Sequence, residues 1–239
     1  MRTHFVIHET FEGPGAYEEW AAERGHQVTS TRLYAGEALP ETVEGIDLLI
    51  VMGGPQSPAT TQEECPHFDA AAEKALIGAC AEAGKAVIGV CLGAQLLGEA
   101  LGAPVEHSPE KEIGSFPITL TEDGLRHGLF ADFGRTLEVG HWHGDMPGLT
   151  ENATVLATSE GCPRQIVAYG RFLYGFQCHL EFNHRLVGAL IEHSAQELAT
   201  LTDHRFVQQP EELRRNSYEA MNATLRTFLD RLQADYLGA

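Results

Sequence analysis

Gly89-Val90-Cys91-Leu92-Gly93-Ala94-Gln95 lies between a run of apolar residues and a run of helix formers. Lifting one side chain clear of a sheet takes a sharp strand-to-helix turn, and glycines two residues either side leave room for that turn to close. Gly89 and Gly93 stand at those two places around Cys91. The turn also sets Cys91 at the positive end of the next helix, where a thiolate is stabilised and attacks electrophiles. A thiol nucleophile needs an imidazole to move its proton and a carboxylate to hold that imidazole. His179 and Glu181 supply both from one short segment. In extended chain they share a face, while Cys178 and Leu180 point the other way. The negative oxygen formed by attack needs amide donors. Leu92, next to the nucleophile, gives the first, and Gly54 in Gly53-Gly54-Pro55 gives the second, since glycine permits close approach. Cys65 before Pro66, Cys80 on a helix's apolar face and Cys162 in a Gly-Cys-Pro turn lack such a setting and read as structural.

The elements that must position these groups follow from the apolar pattern. Phe5–Ile7, Val28–Leu33, Ile46–Met52 and Ala86–Val90 read as strands. Between them Tyr17–Arg24, Phe68–Ala83 and Cys91–Leu101 read as helices, closed by Gly25, Gly84 and Gly102. Apolar strands alternating with helices predict an α/β fold, doubly wound around a mostly parallel sheet. Ile113–Thr121, Leu137–His141, Val155–Ser159, Gln165–Tyr169 and Phe172–Gln177 read as added antiparallel strands. From Phe182 the pattern is helical. Its two apolar stripes have two readings, packing on the chain's own core or contact with a partner such as a second copy. Ligands of open α/β sheets bind beyond the carboxyl ends of the strands. Gly53-Gly54-Pro55, Cys91, and His179 with Glu181 all fall at such ends.

The chain has 239 residues, 16 Lys plus Arg against 34 Asp plus Glu, and a formal net charge of −18. That field repels phosphate backbones and anionic headgroups, so neither nucleic acid nor a membrane surface is expected as the main partner. At 43% hydrophobic and 21% charged residues, the chain can bury a sizeable core. No apolar stretch reaches the roughly 18 residues of a spanning helix, and Met1-Arg2-Thr3-His4 does not open a signal peptide. Five cysteines without C-x-x-C spacing argue against a disulfide framework and predict a cytoplasmic protein.

Taken together these residues resemble the class I, or triad, glutamine amidotransferases. Gly89-Val90-Cys91-Leu92-Gly93-Ala94-Gln95 is similar to that family's G-x-C-x-G-x-Q elbow, and His179-Leu180-Glu181 to its H-P-E, with Leu180 in place of proline. Met52-Gly53-Gly54-Pro55-Gln56-Ser57 resembles its oxyanion-strand motif. His141-Trp142-His143-Gly144-Asp145 looks like the S-H-G-D segment of GMP synthase amidotransferase domains, and Glu12-Gly13-Pro14-Gly15 resembles a stretch of their stand-alone relatives. The resemblance implies a flavodoxin-like amidotransferase domain over residues 1–185, with 186–239 a helical extension packed on it. It implies that Cys91 attacks the side-chain amide of L-glutamine, that His179 protonates the departing ammonia, and that Glu181 holds His179. Gly54 and Leu92 would form the oxyanion hole, and Gln56, Gln95, Trp142, His143, Gly144 and Asp145 would bind the substrate. No cofactor is implied. No synthetase domain follows, so ammonia would go to a separate synthetase subunit, or the chain would simply hydrolyse a γ-glutamyl amide.

Two further readings compete. His141-x-His143-x-Asp145 is a ligand-like spacing, but His179, His184 and His193 complete no recognised metal set, so no metal is expected. A regulatory module with vestigial chemistry is a different class of protein. It is separated from an enzyme by whether a thiol-directed glutamine analogue labels Cys91.

Overall fold

The computed structural model describes residues 1–239. The amino-terminal half runs β1 (Arg2–Ile7), α1 (Ala16–Glu23), β2 (Gln27–Arg32), β3 (Leu48–Val51), α2 (Ala70–Glu82), β4 (Ala86–Val90) and α3 (Leu92–Ala100). There follow β5 (Glu106–Leu120), α4 (Glu122–Arg126), β6 (Thr136–Met146), β7 (Thr154–Thr158), β8 (Ile166–Gly170) and β9 (Leu173–Phe176). Helices α5 (His184–His193), α6 (Ala195–Thr200), α7 (Pro210–Leu213) and α8 (Glu219–Leu237) close the chain. The strands form one nine-stranded sheet in the order β2-β1-β3-β4-β9-β8-β7-β5-β6. No helix is long and apolar enough to cross a membrane.

Strand periodicity explains the two layers. Phe5, Ile7, Leu48, Ile50, Ile88 and Val90 face one side of the sheet with Trp20 of α1 and Phe228 of α8. Val6, Leu49, Val51 and Val87 face the other, with Ile77 of α2 and Leu96 of α3. Each fully buried side chain of this kind stabilises the fold by about 1.5–3 kcal/mol relative to exposure. Helix α2 begins at Ala70 and not at Phe68, because the Asp69 carboxylate accepts from the amides of Ala71 and Ala72 and so caps the helix there.

One strand differs from expectation in a way that matters. The pattern of Phe172–Gln177 predicts an antiparallel addition, but β9 pairs parallel with β4 and antiparallel with β8. It follows β8 through a tight turn, which reverses it against that neighbour and aligns it with the parallel half. Val90 pairs with Phe176, so β4 and β9 end side by side. The chain therefore delivers Cys91 and His179 to the same carboxyl end of the sheet.

The carboxyl-terminal apolar stripe is covered by the chain itself. Phe228 packs edge-on against Tyr174 and Phe176, and Trp20 Nε1 donates to Asp230 at 2.8 Å. Asn222, also on α8, donates to the carbonyls of Leu180 at 2.6 Å and Phe182 at 3.1 Å. The last helix thus holds the backbone on either side of Glu181, where Leu180 lacks the rigidity of proline.

Candidate active site

Cys91 has φ 52° and ψ −108°, and it is one of two non-glycine residues with positive φ. L residues rarely adopt that conformation, so the surrounding turn must impose it. The two glycines show how. A Cβ on Gly89 would lie 2.2 Å from the Gly93 carbonyl oxygen, and one on Gly93 would lie 2.0 Å from the Val51 carbonyl oxygen. Helix α3 therefore starts directly over the ends of β3 and β4, with Cys91 standing above them. Its thiol donates to the Trp142 carbonyl at 3.7 Å.

Gly53 is where the other groups meet it. A Cβ there would lie 3.4 Å from Cys91 Cβ, 3.5 Å from His179 Cε1 and under the Glu12 carboxylate. His179 Nδ1 donates to Glu181 Oε1 at 2.7 Å, and its ring stacks on Phe182 with centroids 4.2 Å apart. Nε2 has no protein hydrogen-bond partner within its buried setting. Burial alone would lower the proton affinity of this ring. The negative charge of Glu181 and the Cys91 sulfur outweigh it and push the His179 pKa up to about 10. The arrangement favours an imidazolium held between the Glu181 carboxylate and the Cys91 sulfur.

The amides of Leu92 and Gly54 donate to no backbone acceptor. His8, wholly buried, orients the second of them. Its Nδ1 donates to the Gly53 carbonyl at 2.9 Å, and its Nε2 meets Glu73 at 2.8 Å. In a trans peptide the carbonyl and the next N–H point opposite ways. Fixing the Gly53 oxygen toward His8 therefore turns the Gly54 N–H away from it.

The thiol borders a pocket of about 350 Å³, lined by Gly54, Gln56, Leu92, Gln95, Trp142 and Asp145 among others. This pocket gathers Cys91 with the expected oxyanion and substrate residues, while His179 and Glu181 line a small neighbouring cavity at Gly53, and several polar groups are already engaged. Gln95 donates to Gln177 at 3.1 Å, Gln56 donates to Glu9 at 2.7 Å, and Asp145 meets His107 at 2.6 Å. His143 borders the pocket but turns its Nε2 to Glu112, 3.3 Å away. Sequence reasoning missed His8, Phe182 and the wall built by Leu190 and His193 of α5, Ser194 between the helices and Glu197 of α6. None of these carries a local motif.

Glu12 stands over Gly53, close to His179 and His8. Burial pushes its carboxyl up to about 7 from 4.5, against the lowering influence of His179 and His8. Between those pH values the folded chain keeps a proton that the unfolded chain releases, so Glu12 makes stability fall as pH rises from about 4.5 to about 7. Glu12→Gln is expected to match wild type in thermal melts near pH 4 and to exceed it above pH 7. Parallel melting curves for the two proteins at all pH values would refute this. Gly15 serves the same corner. With φ 50° it lets the Gly13-Pro14-Gly15 turn press on the Glu181 carbonyl, which accepts from Ala16 N at 3.1 Å.

Comparison with known proteins places this geometry. The family model for class-I glutamine amidotransferases matches residues 19–196. The chain is 60% identical over 232 residues to a glutamine amidotransferase-like protein, YfeJ, of Salmonella typhimurium, covering 97% of each chain. It is 35% identical over 143 residues to the glutamine-hydrolysing GMP synthase of Edwardsiella ictaluri, matching 57% of this chain but only 25% of that one. A crystal structure of a glutamine amidotransferase from Thermotoga maritima superposes with a TM-score of 0.84 at 27% identity, covering 97% of each chain. The chain belongs to the class I glutamine amidotransferase family.

Proposed function

We propose that the chain hydrolyses the side-chain amide of L-glutamine through Cys91, His179 and Glu181. The observation that carries this reading is the convergence of the strained Cys91 and the Glu181-held His179 on Gly53. The Cys91 thiolate attacks the amide carbon, and the oxyanion is received by the amides of Leu92 and Gly54. His179 Nε2 gives its proton to the leaving nitrogen, so ammonia departs and a γ-glutamyl thioester remains. Water then attacks the thioester, with His179 taking its proton, and glutamate leaves. Gln56, Gln95 and the Trp142–Asp145 segment line the place of the glutamate moiety. The ammonia is released for an unidentified acceptor, and a separate synthetase subunit is the candidate to hold it.

One observation favours a second reading, hydrolysis of γ-glutamyl amines or peptides by the same groups. The pocket wall beyond the thiol includes His193, Ser194 and Glu197 of the chain's own helices, and Lys111 and Glu197 form an ion pair at this wall. A leaving group larger than ammonia would lie against that wall. The test is ammonia release from glutamine by the purified chain, beside amine release from γ-glutamyl amines and γ-glutamyl peptides. A larger kcat/KM for glutamine supports the first reading, and a larger one for the conjugates supports the second. Turnover unchanged by loss of Cys91 would overturn both.

A further inference from the structure

Behind the strand that lines the pocket, three buried side chains aim their donor atoms at one point. Glu112 of β5 and His141 and His143 of β6 are at most 5% exposed. His143 Nε2 lies 3.3 Å from Glu112 Oε2 and 3.4 Å from His141 Nδ1, and His141 Nδ1 lies 3.7 Å from Glu112 Oε2. Four-coordinate zinc with bonds of about 2.0–2.1 Å to nitrogen and about 2.0–2.2 Å to oxygen has ligand-to-ligand edges of about 3.3–3.5 Å. Two edges of the triangle have that size, and the third, at 3.7 Å, is slightly longer.

Hydrogen-bond accounting points the same way. His141 Nε2 faces the Phe116 carbonyl at 3.2 Å and must donate to it, which leaves Nδ1 as a bare lone pair in the neutral ring. The neutral His141 ring therefore offers the carboxylate no proton, and His143 Nε2 faces both that lone pair and Glu112 Oε2. Glu112 is itself an acid in the interior, and no lysine or arginine reaches it; its ion partners are the two histidines alone. A buried carboxylate without a cation is costly. Its Oε2 also accepts from Ser159 at 2.9 Å and Gln165 at 2.6 Å, the outer contacts that hold a ligating carboxylate. The Phe116 carbonyl plays that part for His141. Gln165 Nε2 also lies 3.2 Å from His143 Nε2, so this amide borders the triangle, and its own Oε1 has no partner.

The geometry points to a divalent transition-metal site, of zinc type, held by Glu112, His141 and His143, with its fourth corner beside Gln165. The sequence spacing showed the two histidines, but the carboxylate is Glu112 on the neighbouring strand and not Asp145, which is drawn to His107. An ion there would tie β5 to β6 and stiffen Trp142 to Asp145 along the pocket. A second grouping, Glu9, Cys65 and His67, is the rival. There Cys65 Sγ lies 3.7 Å and 3.5 Å from the two ring nitrogens of His67, beside the ring and not along one lone pair.

The test is titration of the full chain, as Cys91→Ala to remove the reactive thiol, with Co²⁺ and then Zn²⁺. One equivalent of cobalt is expected to give the intense visible bands of a four-coordinate site without sulfur-to-cobalt charge-transfer absorption. Zinc should displace it and raise the melting temperature. Glu112→Gln and His141→Asn should each weaken binding by about 100-fold or more, and melts will show whether each variant is folded. Adding Cys65→Ala should change nothing. Absence of any stoichiometric site in the Cys91→Ala chain would overturn the assignment without reference to the other variants. So would a thiolate charge-transfer band that disappears with Cys65→Ala.

Discussion

Replacing Cys91 by alanine is expected to lower γ-glutamyl amide hydrolysis by at least about 100-fold and to abolish labelling by a thiol-directed glutamine analogue. The size of the effect follows from the role: without sulfur no thioester forms, and only the donors of Leu92 and Gly54 and substrate binding remain. A companion substitution separates chemistry from fold. Cys91 has φ 52°, a conformation costing an L side chain on the order of 1–3 kcal/mol. Cys91→Gly relieves that strain, although a glycine also gains freedom when unfolded. It should therefore be as inactive as Cys91→Ala and yet melt at a higher temperature. Retained turnover in both variants would remove Cys91 from the mechanism. Alanine melting above glycine would show that the elbow is not strained.

Gly93→Ala is expected to destabilise the chain by at least about 3 kcal/mol, or to prevent its folding, read by denaturant or thermal unfolding. The new methyl would sit 2.0 Å from the Val51 carbonyl oxygen and 2.7 Å from its carbon, and both are backbone atoms of a central strand that cannot swing aside. The natural control is Gly78, inside α2, where an added methyl meets nothing within 4 Å. Gly78→Ala should instead stabilise by roughly 0.5–1 kcal/mol, the ordinary gain for alanine over glycine in a helix. Equal effects at the two positions would mean that general glycine flexibility, and not the closeness of α3 to β3, sets the cost.

Much of this was readable from residue order because it is local. An elbow is a matter of a few consecutive dihedrals, and its glycines must stand at fixed offsets from the nucleophile. The His179–Glu181 contact likewise spans two residues, and the parallel strands declare themselves by unbroken apolar runs. These features lie within ten residues, so sequence alone determined the α/β class and the strand-to-helix elbow at Cys91, and it singled out the His179–Glu181 segment proposed to serve it. What only the tertiary structure decided is which distant elements touch. The parallel pairing of β9 with β4 cannot be read from Phe172–Gln177, since a short apolar strand looks the same in either direction. His8 beneath Gly53, Asn222 on the Leu180 carbonyl, and Glu112 between two histidines join residues from separate strands and helices. The local sequence carries no trace of such contacts, because burial and through-space charge are properties of the packed chain.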